Sequence, residues 1–106
     1  MLNENSSLIS EELFRHGQEC DSARSYPEAA EWYLAAAERG HSGAQLMLGF
    51  AYEYGKGVAQ NPTEAVRWFR EAADHGNAPA QSRMAYCKAI YRRRQKQQKD
   101  PHRGAL

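Results

Sequence analysis

The residues best suited to chemistry stand near the N-terminus, on one predicted helix. Glu12, His16 and Cys20 follow one another at intervals of four, which places a carboxylate, an imidazole and a thiol on one helix face. Zinc accepts these ligand types, but a tetrahedral site also needs a ligand from a second element. The other candidates show no matching pair spacing: His41, His75, His102 and Cys87. We therefore predict no metal site and interpret His16 as a packing residue.

Catalytic and cofactor-binding motifs are also missing from the sequence. A Cys20 nucleophile with His16 as its base has no third group to orient the imidazole, and both lie on the same predicted helix. Gly55-Lys56-Gly57 does not extend to a dinucleotide-binding or Walker motif, so Lys56 is expected to be solvated. We predict a protein that is not an enzyme and that uses no cofactor.

Five helices are predicted from residues that favour helix starts and ends. Ser and Asn can accept hydrogen bonds from first-turn amides, and glycine ends helices in the left-handed conformation. The predicted segments are Ser10 to about Ala23, Ser25 to Gly40, Ser42 to Gly55, Asn61 to Gly76, and Asn77 into Arg92–Arg94. Residues 1–9 are predicted to be flexible and residues 95–106 to form a basic, disordered tail. No segment alternates apolar and polar residues like a strand, so the predicted class is all-α.

A period of thirty-six residues organises the middle of the chain. Glu28, Ala29, Trp32, Tyr33, Ala36, Ala37 and Gly40 recur as Glu64, Ala65, Trp68, Phe69, Ala72, Ala73 and Gly76. Such a period indicates stacked helical hairpins, none of which buries its apolar face alone. Gly17, Gly49 and Ala85 are expected where a partner helix approaches closely. Twelve residues separate Gly17 from Ala29 and sixteen separate Gly49 from Ala65, which predicts a loop four residues longer in the second hairpin.

Charge is unevenly distributed along the 106 residues, although the net charge is only +1. Residues 1–87 carry seven Lys or Arg against twelve Asp or Glu, whereas residues 88–106 carry seven basic residues against Asp100 alone. This pattern indicates an acidic body with a basic end. No secretory signal or apolar run of membrane-spanning length is visible, and the two cysteines fit no disulfide scaffold. We therefore predict a cytoplasmic protein with reduced thiols that does not bind a membrane.

The repeat motif resembles that of a known family. The motif is Ala44-x3-Leu48-Gly49-x2-Tyr52-x2-Gly55-Lys56-Gly57-Val58, followed by Ala65-x2-Trp68-Phe69-x2-Ala72-Ala73-x2-Gly76. It is similar to a complete Sel-like repeat, the branch of the tetratricopeptide superfamily with a longer hairpin loop. Asn61 and Glu64 stand where that family more often has Asp and Lys. Residues 8–40 resemble a shorter tetratricopeptide-type unit, and residues 77–92 resemble the first helix of a third unit.

The resemblance implies a right-handed α-solenoid of about two and a half hairpins, with five helices, and a role as a scaffold, adaptor or small regulator. It also implies that the first helix of each hairpin lines a concave side. The positions facing outward there are Phe14, Gln18, Asp21, Leu46, Phe50, Glu53, Ser82, Tyr86 and Ala89. We expect Phe14, Leu46, Phe50 and Tyr86 to form the floor of a groove for an amphipathic helix or an extended peptide from a protein partner.

Three alternatives to a partner groove remain open. The chain's own fifth helix or tail could fill the groove. The acidic N-terminal half could meet the basic end of a second copy, which would bury the same surface in a homodimer. The segment beginning with Arg92, Arg93 and Arg94 could neutralise phosphates and bind nucleic acid, although the acidic body opposes this and favours a solvated helix end.

Overall fold

The chain forms five α-helices in the computed structural model, which describes residues 2–98. They are α1 (Leu2–Ser22), α2 (Tyr26–Glu38), α3 (Ser42–Tyr54), α4 (Pro62–Asp74) and α5 (Ala78–Gln98). Helix α1 pairs with α2 and α3 pairs with α4, while α2 packs on α3 and α4 packs on α5. Residues 2–98 contain no strand, so the predicted all-α class is confirmed, and the stacked hairpins form a solenoid of the tetratricopeptide type.

The two terminal helices are longer than predicted. Helix α1 begins at Leu2 rather than near Ser10, and α5 continues to Gln98, so helix extends into both terminal segments that were predicted to be flexible or disordered. At about 1.5 Å per residue, α1 is longer than its partner α2 by more than 10 Å. Leu8 and Ile9 lie on the part of α1 that α2 does not cover, and both are exposed. The rest of the predicted tail, residues 99–106, lies outside the described residues.

Most of the predicted helix ends are confirmed. Asn61 and Asn77 accept hydrogen bonds from the amides of Glu64 and Ala80 at 3.2 and 3.0 Å. The backbone turns into the left-handed region at the glycines after α2, α3 and α4, with φ angles of 90°, 67° and 86°. Ser25 precedes α2 but makes no capping hydrogen bond through its side chain. The local sequence pattern therefore places most helix boundaries to within a few residues.

The prediction that Ser42 caps α3 is wrong, because His41 does so instead. Its Nδ1 accepts a hydrogen bond from the amide of Ala44 at 3.1 Å, so its Nε2 carries the proton and donates to Glu11 Oε1 at 2.9 Å. The imidazole also stacks on Phe14, with ring centroids 4.3 Å apart. One side chain thus starts α3 and ties it to α1.

Replacing His41 by alanine is expected to lower the free energy of unfolding by about 1–3 kcal/mol, because the cap and the ring contact are both lost. His41→Asn is expected to cost less than His41→Ala, because asparagine caps the corresponding position of α5 at Asn77. Urea unfolding followed by helical circular dichroism measures both losses. Equal losses in the two variants would contradict a capping role.

Close helix packing explains two glycines within helices. A Cβ added at Gly17 would lie 2.6 Å from the Tyr33 ring, and one added at Gly49 would lie 2.4 Å from the Phe69 ring. The predicted close approach is therefore confirmed in both hairpins. The same expectation for Ala85 is wrong: Ala85 is exposed, because no described helix packs against that side of α5.

A repeated hydrogen bond joins successive units. The side-chain amide of Gln45, which is buried, donates to the Ala37 carbonyl at 3.1 Å, and Gln81 donates to the Ala73 carbonyl at the same distance. Both the donors and the acceptors are thirty-six positions apart. Each carbonyl lies in the last turn of the preceding helix and also accepts the amide of the glycine that follows, Gly40 or Gly76, at 2.9 and 3.0 Å. The same geometry therefore recurs where α2 meets α3 and where α4 meets α5.

The long loop of the second hairpin reaches back to the first hairpin. Seven residues, 55–61, separate α3 from α4, against three between α1 and α2, so the predicted difference of four is confirmed. Gly57 has a φ of +83° and lies so close to Tyr26 that a Cβ would be 2.2 Å from the Tyr26 carbonyl oxygen. Lys56 lies over the Tyr26 ring, with its Nζ 4.5 Å from the centroid. This loop therefore contributes to the contact between the hairpins.

Candidate functional site

The positions predicted to bind a partner lie on α1, α3 and α5, the first helices of the successive units. Three of these side chains pack partly against the core: Phe14, Leu46 and Phe50. Two acidic side chains are half-buried: Asp21 and Glu53. Four side chains are exposed: Gln18, Ser82, Tyr86 and Ala89. The predicted positions therefore form three groups: side chains that pack against the core, half-buried acids, and exposed side chains.

Asp21, in the last turn of α1, is held by two neighbours. It accepts a hydrogen bond from the Tyr33 hydroxyl at 3.1 Å and pairs with Lys56 Nζ at 3.2 Å. Burial of the Tyr33 ring, followed by the nearby Asp21 charge, raises the pKa of the Tyr33 hydroxyl far above its usual range, so the hydroxyl keeps the proton that it donates. Lys56 is exposed, as expected for a solvated lysine, and the loop also places it on Asp21.

Glu53 holds the corresponding place in α3 and is also ion-paired. It forms a salt bridge with Arg83 of α5, and both side chains are about one quarter exposed. The guanidinium lies over the rings of Phe50, Phe69 and Tyr86, 5.1 to 5.7 Å from their centroids. A cation over aromatic faces is attracted by their negative charge density. Arg83 thus brings together residues of α3, α4 and α5.

The surface around Arg83 is rich in aromatic side chains. The ring of Tyr54 stacks on Phe50 with centroids 6.3 Å apart, and Phe50 meets the buried Phe69 edge-on at 5.2 Å. Tyr54 is 65% exposed and Tyr86 is 56% exposed. We call the set Phe50, Tyr54, Arg83 and Tyr86 the aromatic surface. Of these four, sequence reasoning had identified Phe50 and Tyr86 and had missed the other two.

A pocket lies between α1 and α3, beside the aromatic surface. Its volume is about 260 Å³. The lining residues are Gln18, Asp21, Ser22, Tyr33 and Met47. Met47 and Phe50 also line a smaller, adjoining cavity of about 40 Å³. Polar and apolar groups line the larger pocket together, as expected where a partner side chain is both buried and oriented.

His16, which was first considered as a metal ligand, contacts neighbouring side chains instead. The His16 ring contacts the Trp32 ring at a centroid distance of 4.8 Å, and its Nδ1 lies 3.8 Å from Glu19. Its side chain is 52% exposed, so the expected packing position is only half covered. Among the described residues, no group of three or more His, Cys, Asp or Glu is arranged to hold a metal ion.

The basic residues Arg92, Arg93 and Arg94 are exposed in the last turns of α5. Arg92 also lines a groove between α4 and α5. No helix in the described part of the chain has both the length and the apolar content needed to cross a membrane.

Stacked helical hairpins with glycine-mediated contacts and a long second loop define a helical-repeat protein. The family model of the Sel1 repeat matches this chain three times, at residues 10–41, 42–77 and 78–104. The chain therefore belongs to the Sel1 repeat family, as the sequence motif had predicted. The third match extends beyond residues 77–92, where the sequence had shown only the first helix of a unit.

Two similar proteins illustrate the relationship. A Sel1 repeat protein from Oxalobacter formigenes, known from its crystal structure, is 47% identical and superposes with a TM-score of 0.56. The match covers 57% of this chain and 25% of that one. An exopolysaccharide production negative regulator from Rhizobium meliloti (strain 1021) is 43% identical over 49 residues, covering 46% of this chain and 18% of the regulator. The chain thus matches a quarter or less of the length of each.

Sel1 repeats generally mediate protein–protein interactions, and the family fold is not a catalytic one. This coarse function agrees with the surface described above, which offers exposed aromatic rings and a pocket lined by polar and apolar groups.

Proposed function

We propose that this chain is a protein-interaction module, acting as an adaptor or small regulator, that binds a peptide or protein segment on the concave face formed by α1, α3 and α5. The observation that carries the proposal is the aromatic surface. Tyr54 and Tyr86 remain more than half exposed beside Phe50 and Arg83. Tyr and Arg are enriched at protein interfaces, where they dominate binding energy.

The charges of this face narrow the chemistry of the partner. Asp21 and Glu53, which are its half-buried acids, are already neutralised by Lys56 and Arg83. Recognition then depends mainly on apolar and aromatic contact, with Gln18 at the pocket as an additional hydrogen-bonding group. The proposed partner segment therefore has one apolar side chain that enters the pocket and further side chains that cover the rings of Tyr54 and Tyr86.

The relative from Rhizobium meliloti supports the general kind of role. Its name describes negative regulation of exopolysaccharide production. Because the match spans less than a fifth of that protein, we transfer only the idea of a regulator, while the proposed binding of another protein rests on the Sel1 repeats. We also propose, as the sequence predicts, that this binding takes place in the cytoplasm.

The double variant Tyr54→Ala/Tyr86→Ala is expected to weaken partner binding by roughly 10- to 100-fold while leaving the melting temperature nearly unchanged, because both rings are largely exposed. Leu46 and Phe50 are poorer test positions, because both pack against the core and their loss would also destabilise the fold. Partners are first captured from the native cell with the parent protein, identified and purified. Each partner is then titrated by calorimetry against the parent protein and against the double variant.

Leu8→Ala is the matched control, because Leu8 is 66% exposed but lies on the projecting start of α1. It is expected to bind as the parent protein does. Unchanged affinity in the double tyrosine variant would show that the partner binds elsewhere.

A further inference from the structure

The two repeat-related tryptophans have different surroundings. Trp68 of α4 is 7% exposed and belongs to the apolar cluster that joins the hairpins, together with Ala37 and Leu48. Trp32 holds the same repeat position in α2, yet 38% of it is exposed. Its described ring contact is His16 of α1. The first hairpin covers Trp68. In the part of the chain that the structure describes, no hairpin comes before α1 and α2 to cover Trp32 in the same way.

The opposite end of the solenoid has an open groove of about 330 Å³ between α4 and α5. The groove is lined by Val66, Arg70, Met84, Cys87, Lys88 and Arg92. Three of these residues have buried counterparts thirty-six positions earlier in the chain. Val66 corresponds to Ala30, Met84 to Leu48 and Cys87 to Ala51. All three counterparts are buried where the hairpins meet, and Leu48 lies in the same cluster as Trp68. The groove is therefore the open equivalent of the surface between α2 and α3, where Trp68 of α4 lies beside Ala37 and Leu48.

The exposed charges at these two ends are opposite. Glu28 and Glu31 are exposed on α2 within one turn of Trp32. Three exposed bases line the groove: Arg70, Lys88 and Arg92. Opposite charges on two surfaces favour their encounter and fix their orientation.

The junction within the chain lacks this charge pattern. Glu64 and Arg67, the counterparts of Glu28 and Glu31, pair with each other at 3.1 Å and so leave no net charge beside Trp68. The counterparts of Arg70 and Lys88 are uncharged, Leu34 and Tyr52, while that of Arg92 is Lys56, which is paired with Asp21. The two outer ends thus differ from the inner junction in a way that makes them complementary to each other.

We propose that two copies of this chain bind end to end, with Trp32 of one copy inserted into the α4–α5 groove of the next. The contact places Trp32 beside Met84, the counterpart of the Leu48 that lies with Trp68 inside the chain, and it uses surfaces separate from the aromatic surface. Because the two contacting surfaces differ, each added copy leaves one free groove and one free Trp32. Association therefore increases with concentration and can proceed beyond a dimer.

Sedimentation velocity of the full chain, from about 10 µM to about 1 mM, tests the proposal. The weight-average mass is expected to rise above the 12.0 kDa of one chain, and the rise is expected to shrink at high salt because charges contribute. Trp32→Ala and the groove variant Arg70→Glu/Lys88→Glu are each expected to remain monomeric. All three altered side chains are exposed, so the fold is expected to be retained.

Mixing the two variants provides the discriminating measurement. Trp32→Ala keeps an intact groove, and the groove variant keeps Trp32, so an equimolar mixture is expected to form dimers and nothing larger. Leu8→Ala, with an exposed apolar residue removed elsewhere, is expected to associate as the parent does. The proposal would be overturned if the parent protein stayed monomeric at every concentration. That result is expected if residues 99–106 or a different protein occupy the groove. Trp32→Ala assembling like the parent, or a mixture that forms no dimer, would overturn the proposal as well.

Discussion

Trp68→Ala is expected to lower the free energy of unfolding by about 3–5 kcal/mol, the usual cost of removing a large buried aromatic side chain. Trp68 is 7% exposed and packs in the cluster between the hairpins, so its removal leaves a cavity where they meet. Trp32→Ala removes the same side chain from the same repeat position. It is expected to cost less than about 1 kcal/mol, because Trp32 is 38% exposed and leaves no closed cavity.

Guanidinium unfolding followed by circular dichroism measures both values without relying on tryptophan fluorescence. The protein is used at a few micromolar, so that self-association does not add to the measured stability. Any partner that binds only the folded state would stabilise that state by mass action. Similar losses in the two variants would mean that the two tryptophans are equally covered in solution. That outcome would contradict the arrangement of hairpins described above.

Gly57→Ala is expected to reduce stability by about 2–4 kcal/mol, which corresponds to a drop in melting temperature of roughly 10 °C or more. Two effects combine. The φ of +83° is unfavourable for alanine, and the new Cβ would lie 2.2 Å from the Tyr26 carbonyl oxygen. Because this neighbour is backbone, the loop has to move, and Lys56 is then displaced from Asp21 and Tyr26.

Gly76→Ala separates the two effects. Gly76 has a nearly identical φ of +86°, but no neighbouring atom lies within 4 Å of an added Cβ. Its replacement is expected to cost only about 1 kcal/mol, the conformational part alone. Equal melting temperatures for the two variants would show that the loop does not pack against Tyr26.

Two ion pairs involve acidic residues at positions predicted to bind a partner. Asp21 and Glu53, at equivalent places in α1 and α3, are each neutralised by a cation from a later part of the chain. Both pairs link neighbouring units and leave neither acid as a free charge. Under the proposed function, the exposed rings of Tyr54 and Tyr86 are then the principal contact groups.

Much of the fold could be predicted from the sequence, because helix boundaries and repeat period depend on nearby residues. Asn61 and Asn77 cap helices as expected, and Gly17 and Gly49 lie at close contacts. His41 was missed as a cap because histidine is not one of the usual capping residues, and its imidazole stacks on Phe14 of another helix. That contact depends on the packing of two helices and has no local sequence pattern.

The candidate site was predicted less completely. Phe50 and Tyr86 follow from the glycine register, but Arg83 was missed, although it contacts both of them. The Gln45 and Gln81 bonds were within reach of sequence reasoning, because these residues also recur at the period of thirty-six. Nothing in the sequence around Arg83 indicates that its charge turns towards Glu53 of α3.

The sequence by itself determined the helices, the repeat and its family, because these depend on residue types at fixed spacing. Only the tertiary structure decided which of two equivalent residues is buried. Trp32 and Trp68 share the same sequence pattern, but burial depends on whether another hairpin lies against the ring. In the same way, Lys56 and Arg83 acquire their partners only when the units stack, since stacking alone brings residues distant in the chain within reach of each other.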